Sequence, residues 1–144
     1  IIDQISSMID YIKKRAGAKV IFEFDNNSRN NIPVMICPPL FDWVIENLLK
    51  NALDSMDGKG KIKVAILDQS SQIIIDVIDT GKGISKQNLA KVFKPGFTTK
   101  KRGWGLGLTL TKRIVEEYHK GQIYITQSEI GKGSTFRIVL NKNV

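Results

Sequence analysis

The sequence predicts an α+β fold: a two-layer α/β sandwich whose mixed sheet of about five strands is covered by three main helices. Two observations carry this. Three segments repeat apolar residues at helical spacing, and the strand-like segments between them come mostly in adjacent pairs. Helices set between strand pairs, without strict strand–helix alternation, disfavour a doubly wound parallel sheet. At 144 residues with 42% hydrophobic content, the chain suits one domain with a sizeable core, spanning residues 1–144.

The first helix is expected over residues 1–16. Ile2, Ile5, Ile9 and Ile12 fall on one face, and Gly17 ends it. The chain begins at Ile1 in mid-pattern and without Met, so residues 1–17 read as a helix leading in from a missing upstream region. Val20–Phe24 and Ile32–Ile36 read as strands around a polar turn at residues 25–31. Pro38-Pro39 starts a helix running to about Met56 and closed by Asp57-Gly58. Strands near 61–68 and 72–78 form a hairpin across Asp68–Ser71, and Ser85 is placed as the N-cap of a short helix reaching about Phe93. Residues 94–107 are rich in glycine and lysine, with no apolar period. A loop of that length in a compact domain is functional or disordered. A helix from about Leu108 to His119 follows, and strands at 122–127 and 134–140 close the domain.

Composition excludes several classes. No run approaches the roughly 18–20 apolar residues of a membrane span, and no secretory signal precedes the first helix. The single cysteine, Cys37, forbids an internal disulfide or a multi-cysteine zinc site. Lying in an apolar stretch before two prolines, it is expected to be a buried thiol, and the domain is expected to be cytoplasmic, without membrane contact. The net charge of +8 raises nucleic acid as a partner. The basic residues are scattered, however, and their one dense group, Lys94, Lys100, Lys101 and Arg102, lies in the glycine-rich loop. That placement suits a compact polyanion, so no nucleic-acid partner is expected.

Three constellations carry chemistry. On the second helix Ile45, Leu48, Leu49, Ala52 and Met56 form the apolar face. Asn47, Asn51 and Asp54 align elsewhere on it, within about 40°. Asparagine adds little to helix stability, but its amide oxygen is a hard ligand of the kind magnesium accepts; a solvated polar face reads equally well. The strand Ile73–Ile78 ends in Asp79-Thr80-Gly81-Lys82-Gly83. An acid there can accept from an exocyclic amine, and the glycines can let a flat ring approach; a plain Asx turn is the other reading. Gly103-Trp104-Gly105-Leu106-Gly107-Leu108 stops at a helix start, where main-chain N–H groups gather phosphate oxygens. Its spacing fits neither the dinucleotide fingerprint nor the Gly-Lys-Ser/Thr phosphate loop.

Taken in order, these segments resemble the ATP-binding catalytic domain of sensor histidine kinases, in the superfamily shared with gyrase B, Hsp90 and MutL. Asn47-Leu48-Leu49-Lys50-Asn51-Ala52 resembles the asparagine box, and Asp79 to Gly83 the first glycine box. Phe93 to Lys100 resembles the phenylalanine box in its nitrogen-regulation flavour, and Gly103 to Leu108 the second glycine box. Gly131-Lys132-Gly133-Ser134-Thr135-Phe136 is similar to the turn before the last strand. The resemblance spans residues 18–140 and implies a Bergerat-type fold binding ATP and Mg2+. By it, Asn51 ligates magnesium with Asn47 in support, Asp79 takes the adenine amino group, and Gly81 and Gly83 shape the base pocket. Thr135 joins the adenine network. Lys100, with Gly103, Gly105, Leu106 and Gly107, holds phosphates from a lid packed through Phe93 and Phe97. Lys100, Asn47 and Asn51 are thereby the catalytic candidates.

The resemblance further implies γ-phosphoryl transfer to a histidine on an upstream helical dimerisation domain. That domain in turn serves a response regulator, in a parent protein that can be membrane-anchored. Trp104, Asp54 and Gly96 depart from the family's usual residues. Where ATPases of the superfamily place a glutamate base, four residues before the magnesium asparagine, this chain has Asn47, which implies weak hydrolysis. His119, the only histidine, sits at a helix end and reads as a cap, not a phosphate acceptor. An anti-sigma-type serine kinase and a non-catalytic nucleotide-sensing module are the alternative functions.

Overall fold

The computed structural model describes residues 1–26, 34, 36–94 and 107–142. In chain order these form α1 (Ile2–Arg15), β1 (Val20–Asn26), α2 (Pro38–Ser55), β2 (Gly60–Asp68), β3 (Gln72–Asp79), α3 (Lys86–Leu89), α4 (Gly107–Arg113), β4 (Gln122–Glu129) and β5 (Gly133–Asn141). The last turns of α4 widen into a π-helical segment, Ile114–Tyr118. The strands make one mixed sheet in the order β1-β2-β3-β5-β4. The α+β sandwich is as expected.

The helix layer follows from the apolar stripes. Phe41, Val44, Ile45, Leu48, Leu49 and Ala52 are buried on α2, at the spacing that keeps one helical face on the sheet. Ile5 and Ile12 of α1 are fully buried, so α1 packs along α2 as part of this core. The sheet contributes Ile62, Val64, Ile66, Ile73, Ile75, Val77, Phe136 and Ile138. Central β3 is buried on both faces from Ile73 to Val77, so its apolar run does not alternate. On the face away from the helices, Asp76 is bound by Arg137 through two bonds of 2.8 Å. These residues are direct cross-strand partners. The fork holds the β3–β5 register, on which the site below depends.

Several expectations change. β1 pairs in parallel with β2, Val20 opposite Gly60, a partner that the sequence did not indicate. Parallel neighbours need a crossover, and α2 supplies it. The strand expected at Ile32–Ile36 falls mostly outside the described residues, and Val34 and Ile36 are not in a strand. Ser85 precedes α3 with extended backbone, but α3 is only four residues long and the chain continues to Phe93 in turns. Cys37 is exposed, not buried. It stands just before α2, where its main-chain N–H is engaged while its thiol faces outward.

Candidate functional site

Asp79 ends β3 on the helix side of the sheet, where its residue is only 6% exposed. Its carboxylate accepts from the main-chain N–H of Gly81 at 2.8 Å and lies 3.3 Å from the Ser55 hydroxyl at the end of α2. The Ser134 main-chain N–H is a third donor. Burial nonetheless prevails and pushes the Asp79 pKa above its ordinary value, while the three donors act against the rise. The Ser55 hydroxyl also donates to the Ala52 carbonyl at 2.8 Å. One proton therefore faces two acceptors, which leaves Asp79 under-satisfied as an anion. A buried acid held in this way is a typical mark of a functional position.

The loop after Asp79 is stitched on both sides. Lys82 N–H donates to the Ser55 carbonyl, and Gly131 N–H to the Lys82 carbonyl, both at 2.9 Å. Ile84 N–H reaches the Ser128 hydroxyl at 2.8 Å, and Ser128 in turn meets the Ser134 hydroxyl at 2.7 Å. A Cβ on Gly81 would lie 2.0 Å from Ser55 Oγ, and one on Gly83 2.1 Å from the Glu129 carbonyl oxygen. The physical need for these glycines is thus close packing of the loop against α2 and the β4–β5 turn.

The polar stripe of α2 connects this acid to the start of α4. Asn47 donates from Nδ2 to Thr111 Oγ1 at 2.9 Å, and the fully buried Thr111 donates to the Gly107 carbonyl at 2.7 Å. Gly107 sits so close that a Cβ there would be 2.8 Å from Asn47 Oδ1. Asn51 follows one turn later, half-buried, and Ser55 a further turn on. Asn47 to Ser55 is eight residues, about 12 Å of helix at 1.5 Å per residue. The stripe therefore runs from a helix amino end to a buried carboxylate.

Of the residues expected in the site, Asn47, Asn51, Asp79, Gly81 and Gly107 lie along this line, and Gly83 packs against the β4–β5 turn. Lys100, Gly103, Gly105 and Leu106 fall outside the described residues, as do Phe97, Gly96 and Trp104. Phe93 packs edge-on against Phe136, with ring centroids 6.2 Å apart. Its carbonyl accepts from the Thr109 hydroxyl at 2.8 Å, so both flanks of the glycine-rich segment are anchored to the body.

Thr135 is not brought to Asp79. It pairs with Ile78, while Ser134 pairs with Asp79, and successive strand residues face opposite sides. Ser134, buried at 7% exposure, is the residue that the sequence reading missed. Its signal was present, because Phe136, Ile138 and Leu140 set the inward parity of β5 and Ser134 shares it. Ser55 was also missed, although it extends the Asn47–Asn51 stripe by one further i+4 step.

Among the described residues no group of three or more His, Cys, Asp or Glu side chains could cage a metal. An asparagine amide oxygen such as that of Asn51 on α2 fits an ion such as magnesium, which takes its remaining ligands from phosphate and water. It does not fit a structural, protein-caged metal.

The sequence profile described as "Histidine kinase-, DNA gyrase B-, and HSP90-like ATPase" matches residues 38–144. Sporulation kinase E of Bacillus subtilis is 41% identical over 114 residues, which cover 77% of this chain and 15% of that protein. Sensor histidine kinase ZraS of Escherichia coli is 40% identical over 107 residues, covering 74% and 23% respectively. This chain thus spans less than a quarter of either relative's length. The crystallised catalytic domain of histidine kinase ThkA superposes with a TM-score of 0.83 at 28% identity, covering 97% of this chain and 92% of that one. With the ordered polar stripe ending on a buried acid, these matches establish that the chain belongs to the histidine kinase-, DNA gyrase B- and HSP90-like ATPase family.

Proposed function

We propose that this domain binds Mg-ATP along α2 and donates the γ-phosphoryl group to a histidine on a separate helical dimerisation domain, which passes it to a response regulator. The adenine amino group donates to the Asp79 carboxylate, inside the network of Gly81, Ser55 and Ser134. Asn51 provides the amide oxygen for magnesium, whose charge offsets that of the phosphates. Asn47 orients the start of α4 through Thr111. Gly107, with Lys100, Gly103, Gly105 and Leu106, contributes the phosphate-holding segment. Positioning and electrostatics then supply most of the catalysis. Residues 1–17 join this domain to the dimerisation region upstream.

The state of α2 is the observation that favours transfer over hydrolysis. Asn47 occupies the position of the superfamily's water-activating glutamate, and its amide is committed to Thr111. Glu46, one residue away, is tied to Lys50 at 2.9 Å. Neither is placed as a base for water. Among the described residues no helix is long and apolar enough to cross a membrane.

Incubation with γ-labelled ATP tests the reading. The domain alone should take up no label, whereas adding a dimeric helical hairpin that carries a phosphoacceptor histidine should give acid-labile label on that hairpin. Stoichiometric label on His119 would refute the assignment, as would rapid phosphate release with no transfer.

A further inference from the structure

His119 does more than cap a helix. Its Nδ1 lies 2.9 Å from the Ile114 carbonyl oxygen, and the main-chain N–H of Cys37 points at its Nε2 from 3.0 Å. A carbonyl can only accept and an N–H can only donate. The ring is therefore the neutral tautomer protonated on Nδ1, with both nitrogens used. Its surroundings are apolar: Phe41, Val44, Val115, Ile138 and Leu140. The Phe41 ring meets it edge-on, with centroids 6.1 Å apart. The π-helical turn contributes, since the His119 main-chain N–H also bonds the Ile114 carbonyl, five residues back.

The consequence is a second bolt between α2 and α4. One bolt, Asn47 to Thr111, lies beside Gly107. The other, Cys37 to His119, lies at the cap just before α2, ten residues from Asn47 and about 15 Å away along the axis. Two bonds at that spacing bear on both the slide and the tilt of α4 on α2, where a single one bears on its own end alone. None of the hydrogen bonds to Asp79 comes from α4: they come from Gly81, Ser55 and Ser134.

We infer that His119 is a positioning residue for the phosphate half of the nucleotide site, holding Gly107 at the start of α4 against Asn47, and that the adenine half does not depend on it. This inference rests on the nucleotide reading above. It predicts a specific uncoupling, which general destabilisation would not produce.

The test compares affinities for Mg-ATP and for adenosine, which lacks phosphates, in the domain and in two folded variants. His119→Phe keeps the ring against Phe41 and deletes both hydrogen bonds; His119→Leu replaces it if the phenylalanine variant does not fold. His119→Gln keeps an uncharged donor and acceptor. The phenylalanine variant should lose about fivefold or more in Mg-ATP affinity while its adenosine affinity stays within about twofold. The glutamine variant should recover most of the loss. Equal losses for both ligands, or unchanged Mg-ATP affinity in the folded variant, would overturn the inference. Failure of the unmodified domain to bind either ligand would instead sink the nucleotide reading itself.

Discussion

Asp79→Asn is expected to remove ATP binding while making the folded domain more stable. Loss of a hydrogen bond to a charged acceptor, with an amide N–H turned toward the adenine amino group, should weaken binding about 100-fold. The gain in stability comes from the same place. Asp79 is buried beside a Ser55 hydroxyl whose single proton is shared with the Ala52 carbonyl. An asparagine keeps Oδ1 as the acceptor of the Gly81 N–H and the Ser55 hydroxyl, which meet the same Asp79 oxygen, and removes the buried charge. About 1 kcal/mol of added stability is expected at neutral pH.

The pH dependence has a definite sign. The Asp79 pKa is raised above its ordinary value of 3.8, mainly by burial, so the folded state binds its proton more tightly than the unfolded state does. The contribution of this group to stability is full below that ordinary value and is lost as pH rises through the folded-state pKa. The advantage of the asparagine variant should therefore be largest at neutral pH and shrink on acidification toward about pH 4. Urea titrations of both proteins across that range measure it; a variant less stable than the parent at neutral pH would contradict the argument.

The second large effect concerns two neighbouring glycines. Gly133→Ala should unfold the domain or cost about 3 kcal/mol or more. Its φ of +119° disfavours any side chain, and a Cβ would lie 1.9 Å from the Asp79 carbonyl oxygen. Gly131 also has positive φ, +81°, but nothing lies within 4 Å of a Cβ there. Gly131→Ala should cost only about 1 kcal/mol, the price of the backbone conformation alone. Comparing the two urea midpoints separates close approach to Asp79 from turn geometry. Similar losses in both would show that the packing of Gly133 against β3 is not what matters.

Legibility from sequence followed the range of the interactions. The α2 face was readable because five apolar positions at helical spacing point one way, and all five, Ile45, Leu48, Leu49, Ala52 and Met56, are buried. β3 was readable as an apolar run ending in an acid. The partner of β1 was not, because parallel pairing of Val20 with Gly60 joins segments forty residues apart. Thr135 was read from motif spacing without strand parity, by which Ser134 is the residue paired with Asp79. The glycines after Asp79 were found, but their close packing against other elements was not. Ser55 and Glu129, which they approach, lie on other elements. His119 was legible as a helix cap from its own neighbours, whereas its bond to Cys37, 82 residues away, was not.

The most direct measurement is a crystal structure of the domain with Mg2+ and a nonhydrolysable ATP analogue. The purine amino group should lie within hydrogen-bonding distance of the Asp79 carboxylate, with the metal on the Asn51 amide oxygen and the phosphates toward Gly107. A purine bound away from Asp79, or a metal that leaves Asn51 untouched, would contradict the account.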